Sequence, residues 1–349
     1  MMTPRQRWLA LFENRKPDRV VTDYWATGEF SSKLQTALNV TADEQIWQRL
    51  GIDRPVAVGP VWKLTHHPDD PQANDWGIRF TSVDYGTGSY GEAVHFPLAK
   101  CETVADIHAF HWPTPDDYDY SVISSQIKTN AQQRLVTCGS YEPFLLYCWM
   151  RGMEQAFEDL LVNPGMAEAA LGHIFDIHFE KNRRNWQAGG GQIDMMYLAE
   201  DLGGQTGPLF GLETYRRFFL PNQKKMAELA RSFSIRIFYH TDGSARVFLP
   251  DLVHEVGINI LNPLQWRCAG MELAGLTRDF GDKLIFHGGI DNQQTLPFGT
   301  VEDVRREVCQ VAAIMRGYRW ICAPCHNIQN VSPVANIIAM YEEISQIPL

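Results

Sequence analysis

His240 and Asp242 stand one residue apart, directly after a short apolar run, and both side chains can bind a metal ion or exchange a proton. The run from Ile235 to Tyr239 is typical of a buried strand. An amphipathic helical pattern from Val247 to Val256 leads to a second apolar run, Ile258 to Leu261. In parallel α/β folds the loops at the carboxyl ends of strands carry the chemistry. We therefore expect both side chains to reach one ion or one protonated substrate group; a simple helix cap by Asp242 is the alternative.

Polar side chains follow other apolar runs in the same way. Glu200 and Asp201 follow the run from Ile193 to Leu198, where a buried carboxylate is costly without a partner. They are candidates for an acid that protonates a leaving group, for a metal ligand, or for a salt bridge to a neighbouring arginine. Tyr141 is a further candidate for the catalytic group. The candidates for substrate contact at such positions are Glu29, Glu142 and Asp291.

The segment Cys322-Ala-Pro-Cys325-His326 matches the pattern of covalent haem attachment. Attachment needs an export route, and the amino-terminal segment lacks the apolar core of a signal peptide. A redox dithiol is a second reading. We favour a third, in which Cys322 packs in the interior and Cys325 lies near the site as an additional metal ligand. His326 is either a metal ligand or a packed histidine.

About eight apolar runs alternate with helical patterns along the chain, which predicts a parallel sheet. Polar residues at nearly every strand exit favour a single (β/α)8 TIM barrel domain over residues 1–349, and an open doubly wound sheet is the alternative. Residues 60–98 differ, because aromatic residues alternate there with Gly, Asp and Thr. We expect a β-hairpin excursion that roofs the site.

Composition restricts the possible functions. The 349 residues carry a formal net charge of −10, which argues against nucleic-acid and anionic-membrane partners. No run of about 18 apolar residues is present, so no membrane-spanning helix is expected. The seven cysteines are odd in number and scattered, which is typical of free thiols in a reducing compartment. We therefore expect a cytoplasmic protein.

Four stretches resemble the uroporphyrinogen decarboxylase superfamily: TPRQRWLALFENRKPDRV, HTDG followed by LPDLVHEVGINILNPLQ, GGIDNQQTLPFGTVEDVRREV, and PCHNIQNVSPVANIIAMYE. The resemblance implies a (β/α)8 barrel and a homodimer. The superfamily contains a cofactor-free decarboxylase and zinc methyltransferases that work with a corrinoid protein. The decarboxylases carry an arginine-rich run after the first strand, whereas this chain has Ala26 to Phe30 there, with Glu29 unsuited to a polycarboxylate substrate.

The resemblance to the methyltransferases covers their metal-binding positions. Their His-x-Cys after the fifth strand and Cys after the eighth correspond here to His240, Asp242 and His326, with Cys325 or Glu200 as further candidates. Zinc accepts nitrogen and oxygen ligands as well as sulfur. We therefore expect a zinc enzyme that transfers a methyl group between a small methylated substrate, such as a methoxylated compound in an O-demethylation, and a corrinoid protein. The alternatives are a metal-free decarboxylase and a non-catalytic binding barrel.

Overall fold

The computed structural model describes residues 1–129 and 133–348. In chain order the strands are β1 (Val21–Thr22), β2 (Val56–Val58), β3 (Val61–Trp62), β4 (Arg79–Asp84), β5 (Ser89–His95), β6 (Tyr118–Asp119), β7 (Val136–Tyr141), β8 (Met195–Ala199), β9 (Arg236–His240), β10 (Ile260–Asn262), β11 (Ile285–Ile290) and β12 (Trp320–Pro324).

The helices surround the sheet. They are α1 (Pro4–Phe12), α2 (Gly28–Leu38), α3 (Asp43–Leu50), α4 (Val104–Ala109), α5 (Val122–Thr129), α6 (Pro143–Arg151), α7 (Met153–Val162), α8 (Pro164–Ala188), α9 (Leu212–Phe218), α10 (Leu220–Ser232), α11 (Leu249–Asp251), α12 (Leu273–Phe280), α13 (Thr295–Phe298), α14 (Val301–Met315) and α15 (Val334–Ser345). None of the helices in the described ranges is long and apolar enough to cross a membrane.

Eight strands form one parallel sheet in the order β1-β12-β11-β10-β9-β8-β7-β2. This order is the chain order wrapped into a circle, so the sheet curls into a (β/α)8 barrel, as predicted. The first and second barrel strands are joined by the Asp53 N–H, which donates to the Thr22 carbonyl at 3.0 Å. The carboxyl ends of all eight strands therefore open at one end of the barrel.

Helix α1 closes the opposite end of the barrel. Thr3 and Gln6 cap its first turn reciprocally, and Pro4 opens it. Trp8 and Leu11 of this helix pack against inward-facing strand residues, which form an apolar layer at the barrel floor. That layer is Val21, Leu135, Met195, Phe238, Ile260, Ile285 and Ile321.

Side chains alternate between the two faces of a strand, so the residue two positions after each member of this layer also points into the barrel. Two residues after Phe238 comes His240, and two residues after Ile260 comes Asn262. His287, Asp23 and Tyr197 follow the inward residues of their own strands in the same way. The barrel interior is thus apolar at its floor and polar toward the open end.

The predicted excursion contains the antiparallel hairpin β4–β5. The hairpin tip reaches the loop after β12, where Tyr85 donates to Gln329 Oε1 at 3.3 Å and Asn330 donates to the Thr87 carbonyl at 2.6 Å. Ser89 N–H donates to Glu29 Oε1 on the other side, at 3.1 Å. The hairpin is therefore fastened at the open end of the barrel.

Two elements have boundaries that the apolar and amphipathic patterns do not show. Strand β11 runs on through Gly288 and Gly289, which continue the ladder with β12; a Cβ on Gly288 would lie 3.0 Å from the Leu264 backbone nitrogen. The predicted helix Val247–Val256 is a composite of a 3-10 turn, one α-helical turn and a π-helical turn. All seven cysteines are unbridged in the structure.

Candidate metal centre

Three residues from two loops converge at the open end of the barrel. His240 ends β9, Asp242 lies two residues further, and His326 follows β12. The distance from His240 Nε2 to Asp242 Oδ1 is 3.6 Å, and that from His326 Nε2 to Asp242 Oδ2 is also 3.6 Å. One ligand atom from each of the three residues lies within 4.8 Å of the others. The three predicted ligands thus surround one small volume.

The donor atoms suit a divalent cation such as zinc. Ligand atoms of a tetrahedral zinc site lie about 3.4 Å apart, given metal–ligand bonds near 2.0–2.1 Å. Asp242 Oδ1 is buried and accepts no hydrogen bond from the described residues, which is costly unless a cation satisfies it. Burial raises the pKa of Asp242, against the pull of His240 and His326. A bound cation would offset this cost by stabilising the carboxylate.

A chain of buried hydrogen bonds, here called the relay, supports His240 from below. His240 Nδ1 lies 2.6 Å from Asn262 Oδ1, Asn262 Nδ2 lies 2.7 Å from His287 Nδ1, and His287 Nε2 lies 3.0 Å from Asp23 Oδ2. Burial alone would raise the pKa of Asp23, but the hydrogen bond from His287 and the Arg54 guanidinium outweigh it and lower that pKa. Asp23 is therefore the ionised acceptor that ends the relay.

The relay has a definite direction. Ionised Asp23 accepts from His287 Nε2–H, so His287 Nδ1 accepts from the Asn262 amide group. The oxygen of Asn262 then faces His240 and accepts its Nδ1–H. This leaves the Nε2 lone pair of His240 pointed at Asp242, as a metal ligand requires. The His240 ring is also flanked by Trp25, stacked at a centroid distance of 5.8 Å, and by Tyr197 at 5.7 Å.

Carboxylates occupy the neighbouring strand exits. Asp201 Oδ1 lies 3.8 Å from His240 Nε2 and accepts from the Asp242 N–H at 3.3 Å. Burial, followed by the charge of Asp201, raises the pKa of Glu142 to about 7. Burial and the charge of Glu142 raise the pKa of Glu200 well above its ordinary value. Glu200 accepts the Phe144 N–H at the start of α6. This side can therefore hold a proton near neutral pH.

Three predicted roles do not agree with the observed positions. Tyr141 is 1% exposed and packs edge-on against Phe175 in the core between barrel and helices, so it cannot contact a substrate. Cys325 is also buried; its Sγ donates to a backbone carbonyl at 3.0 Å, and burial raises its pKa well above the ordinary value. It stays a neutral thiol and lies outside the ligand group. Glu29 holds the hairpin, as described above.

Asp291 has a structural role as well. Its carboxylate accepts from the N–H groups of Gln294 and Thr295 at 3.0 and 3.1 Å, and it pairs with Arg267 at 3.0 Å. It therefore caps the turn that leads into α13 rather than reaching a substrate.

The members of the relay were missed by the sequence reasoning. A signal was present: Asn262, His287 and Asp23 are polar residues at inward positions of otherwise apolar strands. Such residues need polar partners, and in the barrel interior they find them in one another, with Trp25 and Arg54 as further partners of Asp23.

A cleft of about 620 Å³ opens above the metal-binding group. Its residues come mainly from the loops that follow β8, β9, β10, β11 and β12. They are Asp201, Gly203, Gln205, Leu209, Asp242, Gly243, Gln265, Asn292, Gln293, Pro297, Phe298, His326, Gln329 and Val331. A substrate in this cleft would lie directly over the candidate metal position.

Comparison with known proteins places the chain in a family. The model of the uroporphyrinogen decarboxylase (URO-D) family matches residues 83–347, and the chain belongs to this family. The resemblance read from the motifs is thereby confirmed at family level. No curated protein matches the chain.

A solved structure with the same fold supports the barrel architecture. A methyltransferase from Methanosarcina mazei superimposes with a TM-score of 0.67 and 15% sequence identity, covering 99% of this chain and 98% of that one. A B12-independent methionine synthase from Shewanella sp. is 10% identical, with a TM-score of 0.40 and coverage of 95% and 93%. The first likeness supports the barrel and its helices along the whole chain.

Proposed function

We propose that this chain is a metal-dependent methyltransferase that moves a methyl group between a small methylated substrate and a corrinoid protein. The observation that carries the proposal is the convergence of His240, Asp242 and His326, with the relay orienting His240 as a neutral ligand. The structural neighbour from Methanosarcina mazei, described as a methyltransferase, supports the same class.

The residues divide the work between binding and proton transfer. A zinc ion held by His240, Asp242 and His326 would polarise an ether oxygen of the substrate. The corrinoid partner would accept the methyl group as a cation equivalent, so the substrate oxygen would keep the bonding electron pair and need one proton. Glu142, with its pKa raised to about 7, can hold that proton beside Asp201, which lines the cleft.

The decarboxylase alternative has less support from the cleft. A polycarboxylate needs cationic partners, but no Lys or Arg is among the described residues that line this cleft. Asp201 and Asp242 face the same space and would repel carboxylates. The alternative of a binding barrel without catalysis predicts no methyl transfer by wild-type protein, and ligand affinity and turnover that are the same in wild type and His240→Ala.

Metal analysis tests the proposal directly. The protein is purified without chelator, and zinc is measured by atomic emission in wild type and in the variants His240→Ala and His326→Ala. We expect about one equivalent in wild type and less than about 0.2 in each variant. His254→Ala, an exposed histidine on the turn before Gly257, is the matched control and should retain zinc.

Turnover must be followed in the same samples. Wild-type protein that transfers methyl groups with less than about 0.2 equivalents of metal would refute the metal-dependent mechanism. Equal zinc in wild type and both variants would place the metal elsewhere.

A further inference from the structure

The walls of the cleft above the metal-binding group are rich in side-chain amides. Five of its residues carry a carboxamide: Gln205, Gln265, Asn292, Gln293 and Gln329. Within the described part of the chain, no lining residue carries a positive charge other than by protonation of His326. A ligand in this cleft would therefore meet neutral donors and acceptors at its sides.

Backbone groups fix the direction of three of these amides, and two of the three, Gln265 and Asn292, keep a free end; Gln329 is bonded at both ends, to Asn327 and Tyr85. The Gly243 N–H donates to Gln265 Oε1 at 2.5 Å, so the Gln265 NH2 group is the free end. Asn292 Nδ2 donates to the Asn327 carbonyl at 3.3 Å, so its oxygen is the free end. Asn292 Oδ1 is buried and has no hydrogen-bond partner among the described residues. The cleft thus offers a free donor at Gln265 and an unsatisfied acceptor at Asn292.

Hydroxyl groups match this arrangement better than ionised groups do. A hydroxyl both donates and accepts, so a polyol can satisfy the Asn292 oxygen and the Gln265 NH2 group together. A carboxylate only accepts, and would leave the buried Asn292 oxygen unpaired.

The charges at the floor of the cleft argue in the same direction. Asp201 and Asp242 would balance the two positive charges of a divalent cation held by His240, Asp242 and His326. With that cation bound, no excess positive charge would remain to attract an anion, and the two carboxylates would attract a second cation only weakly.

Apolar side chains complete the wall. Phe298 is 73% exposed, and Leu209 and Val331 are also exposed beside it. An exposed aromatic ring beside amide groups can cover the C–H face of a sugar ring while the amides bind its hydroxyls.

We propose that the cleft binds an uncharged, hydroxyl-rich methyl ether, such as an O-methylated monosaccharide. The methyl ether in this class rests on the proposed function, whereas the neutral, hydroxyl-rich character rests on the cleft alone. Methoxylated carboxylic acids and quaternary amines are the classes that the cleft disfavours.

Calorimetric titration of the full-length, zinc-loaded protein tests the proposal. The probes are a panel of glucoses methylated at each hydroxyl in turn, the anion 3-methoxybenzoate, and the cation tetramethylammonium. We expect at least one sugar ether to bind about tenfold more tightly than either ion. Tighter binding of either ion than of every sugar ether would overturn the proposal, and so would binding of no sugar ether.

A variant links the binding to the amide. Gln265→Glu keeps the oxygen that accepts from Gly243 but replaces the free NH2 group with a charge, and should weaken sugar binding about tenfold. Gln48→Glu makes the same chemical change at an exposed position on α3 and should leave binding unchanged. Equal affinity in wild type and Gln265→Glu would remove Gln265 from the site. A thermal melt of each variant shows whether it is folded.

The zinc content of the same samples separates the two proposals. Zinc that depends on His240, without sugar binding, contradicts the substrate class alone. Sugar binding without such zinc contradicts the proposed function and leaves the cleft as a carbohydrate site.

Discussion

The two sides of the barrel mouth hold their functional groups by different means. On the side of β9 to β12, the relay from Asp23 to His240 fixes the position and the tautomer of a metal ligand. On the side of β7 and β8, Glu142 and Glu200 are held in a desolvated place that keeps protons on them. The histidine side therefore specifies geometry, and the acid side specifies protonation state.

The largest expected effect is a loss of stability when Gly243 is replaced, because the loops of the two sides touch at this residue. Gly203, after β8, packs so closely on Gly243, after β9, that a Cβ on Gly243 would lie 2.2 Å from the Gly203 oxygen. Gly243 also has a φ of +72°. We expect Gly243→Ala to destabilise the fold by about 3 kcal/mol or more in urea unfolding.

Gly28→Ala is the matched control for this substitution. A Cβ on Gly28 would meet nothing within 4 Å, and helix α2 begins at this residue. Its stability should change by less than about 1 kcal/mol. Equal stability of both variants would show that the two loops are not packed against each other.

The second prediction breaks the relay by a substitution that leaves the three candidate metal ligands unchanged. Asn262→Leu removes the acceptor of His240 Nδ1–H, so the imidazole loses its fixed tautomer and orientation. We expect zinc affinity to fall by about 10- to 100-fold, measured by competition with a chromophoric chelator. Asn262→Asp keeps an oxygen for His240 and should recover most of that affinity. A loss that both variants share equally would mean that only the volume of Asn262 matters.

These side chains show how far the sequence could be read. His240, Asp242 and His326 could be brought together before the structure, because parallel strands end at the same edge of a barrel and family motifs mark both loops. Asn262 and His287 could not be paired in the same way. Their partners depend on the relative height of strands around the barrel, and the register of β9, β10 and β11 is set by packing.

The same limit explains the predictions that the structure does not support. The position of Tyr141 at the end of β7 suggested a rim residue. The direction of a side chain alternates along a strand, and this one points outward into the helix layer. Cys325 neighbours His326 in the chain, yet its thiol turns toward a backbone carbonyl. The exit of a strand can be predicted from sequence more reliably than the face that a residue presents there.

The third effect tests the acid side through pH. The pKa of Glu142 is raised from its ordinary 4.5 to about 7, chiefly by burial and then by Asp201. The folded chain holds this proton to a higher pH than the unfolded chain, so the resulting stability is fully present below about pH 4.5 and is lost as pH rises toward 7.

Glu142→Gln should remove this loss. The free energy of unfolding is measured in urea for chelator-treated wild type and variant at pH 5 and at pH 8. We expect the difference between variant and wild type to be about 1–3 kcal/mol more in favour of the variant at pH 8 than at pH 5. Glu154→Gln, at an exposed position on α7, is the control and should follow the wild-type curve. With zinc bound, wild-type protein should lose its Glu142 proton at a lower pH, because a nearby cation favours the carboxylate. A flat wild-type curve would show that Glu142 is not desolvated.

The smallest expected effect concerns Asp291, a carboxylate on the histidine side whose contacts stabilise the fold. Asn at position 291 can still accept from the N–H groups of Gln294 and Thr295. It loses the pair with Arg267 and the second acceptor oxygen, which takes the Gln293 N–H at 3.1 Å. We therefore expect Asp291→Asn to cost about 1–2 kcal/mol, and Asp291→Ala to cost more because the whole cap is lost. Zinc content should equal wild type in both variants. A variant that keeps its stability but loses zinc would bring Asp291 into the metal site and blur the division between the two sides.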